Sequence, residues 1–107
     1  MAETVSASAE MVLQSIDTVL REKPNRVTHD FSAATRCLTA YRDEVTRRIR
    51  EKGRPPASLE RLAKLNAVVS ALYGAHYPIG SPPWELLEKA RASFAELAAE
   101  LSAAGEA

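Results

Sequence analysis

The chain has 107 residues, a formal net charge of zero, 46% apolar and 26% charged residues, which bounds it to one domain over 1–107 with a modest core. A single cysteine, Cys37, excludes an internal disulfide. No apolar run approaches the length of a bilayer crossing, and no basic segment followed by an apolar run opens the chain, so no membrane contact is expected and the setting is read as cytoplasmic.

Only 6% of the residues are aromatic while alanine is abundant, a composition suited to closely packed helices. Charge is unevenly placed. Residues 21–64 hold 12 of the 14 Lys and Arg against six acids, and both ends of the sequence are acidic.

The periodicity predicts four helices. The first covers Val5 to Lys23, with Thr4 or Ser6 as N-cap and Val5, Ala9, Val12, Leu13, Ile16, Val19 and Leu20 on its buried face. Pro24 ends it. The second, over 30–52, carries the clearest stripe: Phe31, Ala34, Leu38, Tyr41, Val45 and Ile49, closed by Gly53. The third is expected over 58–75, capped by Ser58, with Leu59, Leu62, Leu65, Val69, Leu72 and Tyr73 as its stripe and Ala63, Asn66 and Val68 flanking it. Breakers fill Ala75 to Pro83. The fourth is expected over 82–103, capped by Ser81 with Pro82 next, and carries Trp84, Leu87, Ala90, Phe94, Leu97, Ala98 and Leu101. Ser102 to Ala107 reads as a fraying tail.

Four long helices with short links predict an all-α, antiparallel up-down-up-down four-helix bundle. That order gathers His29, Tyr73, His76, Tyr77 and Trp84 at one end. Arg47, Arg48, Arg50, Lys52, Arg54, Arg61 and Lys64 gather at the other, where Glu3, Glu100 and Glu106 are placed to neutralise part of the charge.

No nucleotide-binding, hydrolase or metalloprotease motif occurs, and Arg36, Arg42 and Arg61 lie off the apolar stripes, so they form no inward-facing clamp. No catalytic residue, cofactor or metal site is assigned; two histidines 47 positions apart lack ligand spacing. The expected function is therefore non-enzymatic: protein–protein interaction as an accessory, adaptor or regulatory subunit. Tyr73, His76, Tyr77 and Trp84 are the candidate partner contacts, because such aromatics combine area with a polar handle. Arg47, Arg48, Arg50, Lys52 and Arg54 form a candidate electrostatic surface. Two alternatives follow: nucleic-acid binding through that basic end, and binding or turnover of a small molecule in a bundle cavity. A homodimer through an apolar patch left on helix one or helix four is a further option.

Overall fold

The computed structural model describes residues 8–23, 29–76 and 84–107, the side chain of His76 excepted. Four helices follow in order: α1 (Ala9–Glu22), α2 (His29–Glu51), α3 (Pro56–His76) and α4 (Trp84–Ala103). Sequence neighbours pack together, and α1 closes the ring against α4. This is the antiparallel four-helix bundle that the periodicity implies, with no strand among the described residues.

The α2 stripe is buried throughout, from Phe31 to Ile49. Val12, Ile16 and Val19 of α1 and Leu87, Phe94, Leu97 and Leu101 of α4 meet it in one apolar cluster. Two aromatic contacts join α2 to α4 across the bundle. Tyr41 meets Phe94 edge to face at 5.2 Å, and Phe31 meets Trp84 at 6.1 Å. Hydroxyls on the helices bond back to their own turns, as Thr35 does to the Ser32 carbonyl at 2.8 Å, which keeps buried Thr35 satisfied.

Several helix ends differ from the sequence expectation. Ser8 is extended and its hydroxyl accepts the Met11 N–H at 3.2 Å, so Ser8 caps α1 and the helix starts at Ala9, not Val5. Thr4, Ser6 and Pro24 lie outside the described residues. Lys23, expected as the last helical residue, is left-handed (φ 43°) and closes α1 through its N–H to the Val19 carbonyl. The third helix starts at Pro56 rather than Ser58. Pro56 takes the first helical position, where the N–H it lacks would have no helical partner. The Pro55 carbonyl accepts the Leu59 N–H at 3.0 Å. Ser58 thereby sits inside the first turn, buried. The described part of the fourth helix begins at Trp84; Ser81 and Pro82 lie outside it.

On α3 the stripe is rotated from the expected one. Val68 and Ala75 are buried, whereas Leu59 and Tyr73 are 43% and 42% exposed. The helix carries apolar residues on nearly every side, so the sequence contains little polar contrast from which to fix its phase.

The helix ends at Gly53 and Gly105 share one geometry. Gly53 and Gly105 have φ of 87° and 74°. The N–H after each reaches back to the carbonyl of Ile49 or Leu101 respectively, and the glycine N–H to that of Arg50 or Ser102. These are Schellman turns, which satisfy carbonyls that a helix end leaves open. A Cβ on Gly53 would meet nothing within 4 Å, so Gly53→Ala is expected to cost about 1 kcal/mol through backbone strain alone. A urea titration reads this as a lowered midpoint at constant slope; an unchanged midpoint would refute it.

Candidate functional site

The basic end is built where α2 and α4 finish and α3 begins. Its cations are largely bridged. Arg47 pairs with Glu44 and Glu51, and Arg48 pairs with Glu44 at 2.9 Å. The two arginines hold the Glu44 carboxyl well below its ordinary range, at about 2.

Lys52 joins a deeper group. Gly105 turns the chain at the end of α4 so that Glu106 is fully buried. The expectation of a fraying tail is thus corrected at this residue. Arg61 grips the Glu106 carboxylate with Nε at 2.8 Å and Nη2 at 3.0 Å. Lys52 Nζ donates to it at 2.7 Å, and Ser58 Oγ donates as well. Lys52 also donates to the Ala104 carbonyl at 3.1 Å, capping α4 from α2. The Arg61 hydrogen bonds, with those of Lys52 and Ser58, outweigh burial and hold this carboxyl at about 2. Of the five cations expected to form an electrostatic surface, Arg50 and Arg54 alone have no ion pair among the described residues.

At the opposite end, Trp84 is half-buried and packs on the core beside Phe31. Tyr73 is exposed on the side of α3 that faces α2. Two turns earlier on that side, Asn66 accepts from Arg42 at 3.0 Å. His76 is the last residue of α3. Its side chain, and all of Tyr77, lie outside the described residues, so the aromatic set is placed only in part.

The feature that sequence reasoning passed over lies between α3 and α4. After Lys64, the exposed residues of α3 up to Gly74 are Asn66, Ala67, Ser70, Tyr73 and Gly74, none of them charged. A helix with apolar character all round is normally covered. Beside this face runs a surface groove of about 360 Å³, floored by Ala67, Val68, Ala90, Ser93 and Leu97. Lys64 stands at its rim on α3, and Glu96 and Glu100 on α4. None of the three has an ion pair among the described residues, whereas Asp17 and Arg91 are bridged at 2.9 Å on the other side of α4. Leu86, 59% exposed, continues the groove-facing side of α4 one turn before Ala90. The sequence signal was available: Leu65 to Ala75 contains no acid, lysine, arginine or histidine.

Little in the described residues suits bond-making chemistry. Burial pushes the Cys37 thiol up, against a smaller opposing effect of the Ser15 hydroxyl, which disfavours the reactive thiolate. Burial likewise raises Tyr41, against the field of Arg48. The two depressed carboxylates, Glu44 and Glu106, are engaged by arginines as structural anions. A second groove of about 340 Å³ involves Tyr41, Glu44, Arg48 and Ala98. No three His, Cys, Asp or Glu side chains converge among the described residues, and no described helix is long and apolar enough to cross a membrane. Comparison with known protein families, curated proteins and solved structures finds no match.

Proposed function

We propose that this protein is a non-enzymatic accessory, adaptor or regulatory subunit that acts by binding protein, with the outer face of α3 and α4 as its contact surface. The observation that supports this reading most is the uncharged, exposed side of α3 that carries Ala67, Ser70 and Gly74. Burying it displaces water from apolar surface without desolvating an ion, which is the favourable case for an interface centre. The bridged state of Arg47, Arg48 and Lys52 makes the basic end a weaker candidate, because phosphate binding draws on several free cations close together. A lone half-buried thiol fits a cytoplasmic setting.

Ala67→Glu places a carboxylate on the face without touching the core. In affinity capture followed by mass spectrometry, it is expected to reduce partner recovery roughly tenfold or more, while Arg50→Ala with Arg54→Ala leaves recovery unchanged. Full recovery by a folded Ala67→Glu protein would overturn the assignment of the surface.

A further inference from the structure

We infer that the occupant of the α3–α4 face is a second copy of this chain, docked through a two-fold axis that runs parallel to the helices over the groove. This rests on the reading of that face as a protein-binding surface and names its partner.

Charge placement around the groove favours a second copy. Lys64 lies on the α3 side of the groove and Glu96 and Glu100 on the α4 side. Since α3 and α4 are antiparallel neighbours, Lys64 and Glu100 stand near the same end of the bundle. Although both line one groove, they form no ion pair with each other or elsewhere among the described residues, and Glu100 lies in the field of Arg61. A two-fold axis parallel to the helices keeps every residue at its own height and exchanges the two sides of the groove. It therefore lays α3 of one copy along α4 of the other. Lys64 then meets Glu100 of the second copy, and Glu100 meets its Lys64. The same charges that face each other across an open groove in one chain become two cross-copy pairs in the dimer.

The shape agrees with this arrangement. Ala67, Ala90 and Ser93 are small, so helices can approach closely along the middle of the contact. A Cβ at Gly74 would meet nothing within 4 Å, which leaves room on α3 near the end where Leu86 of the other copy arrives. The result is an inner layer of four helices, two from each copy, with α1 and α2 outside.

The patch spans two helices and about three to four turns, roughly 20 Å by 20 Å. That buries roughly 800 Å² in total, below the range of stable specific interfaces, so a weak, reversible dimer is expected, with Kd on the order of 10–100 µM.

Sedimentation equilibrium from micromolar concentrations to about 0.5 mM spans this range. Wild-type protein is expected to pass from monomer to dimer. Lys64→Glu and Glu100→Lys, each alone, are expected to raise Kd at least tenfold, because each sets like charges opposite one another twice. The double variant Lys64→Glu with Glu100→Lys is expected to recover most of the affinity; helical circular dichroism confirms that each variant is folded. A wild type that stays monomeric, or a dimer whose affinity the single variants leave unchanged or the double variant does not restore, overturns the inference. A monomeric wild type that still loses a different protein partner on Ala67→Glu would leave the binding face in place and remove only the second copy as its occupant.

Discussion

Phe94→Ala is expected to destabilise the fold by about 3–5 kcal/mol, the range for removing a fully packed aromatic ring. Phe94 is completely buried on α4, with its ring edge to face with Tyr41 of α2 at 5.2 Å. α2 and α4 are diagonal partners in the ring of helices, so the Phe94 ring reaches across the middle of the bundle. The aromatic contact itself adds to the loss. Against a total stability of roughly 5–15 kcal/mol for a domain of this kind, the variant is left marginal. Urea unfolding is the measurement: the midpoint falls steeply while the slope is kept. A shift under about 1 kcal/mol would mean that the core at this level is not close-packed.

The second large effect belongs to Glu106. Replacing it with alanine is expected to cost about 2–4 kcal/mol at neutral pH, somewhat below the usual figure for breaking a buried pair, because its cationic partners keep some access to water. Lys52 and Arg61 side chains are 38% and 20% exposed, so neither is stranded in a dry interior. Ser58 is buried and would lose its acceptor.

The pH dependence has a definite sign. The folded protein holds the Glu106 carboxyl at about 2, below the usual 4.5. Its stabilising contribution is therefore present above about pH 4.5 and is lost as pH falls towards 2. Glu44 acts in the same direction, with a smaller effect because its pairs are at the surface. The stability gap between wild type and Glu106→Ala should thus narrow between pH 4.5 and 2. A gap that is constant across that window would show that the carboxylate charge is not what ties the ends of α2, α3 and α4 together.

How far the sequence reveals this structure depends on contrast. In α2 the charged residues occupy the outer side, so the stripe from Phe31 to Ile49 is legible and every member is buried. The same holds for Phe94, Leu97 and Leu101 on α4. On α3 the outer positions are Ala67, Ser70 and Gly74, which differ too little from a core to fix the helix phase. That is why Tyr73 and Leu59 read as buried and Val68 as flanking. The same lack of contrast marks the candidate contact face: an obscure phase and an uncharged outer side have one cause.

Glu106 was legible only as a charge available to the basic end. Its burial depends on the turn at Gly105 and on Ser58, 48 positions away, and no local pattern carries that distance. Ser58 itself reads as a helix cap, yet Pro56 starts the helix earlier and turns the serine into a ligand for the buried carboxylate. At the aromatic end, Trp84 was legible as an apolar position of α4, but its contact with Phe31 links residues 53 positions apart and is set by the bundle alone.

We propose that α3 and α4 present the surface through which this molecule meets a second copy of itself. Amide-resolved NMR across a dilution series tests it most directly. Concentration-dependent shifts are expected at Ala67, Ser70, Gly74 and Ser93, with Arg50 and Arg54 unmoved. Shifts that gather around Arg50 and Arg54 or around Trp84, while the α3–α4 face stays silent, would contradict it.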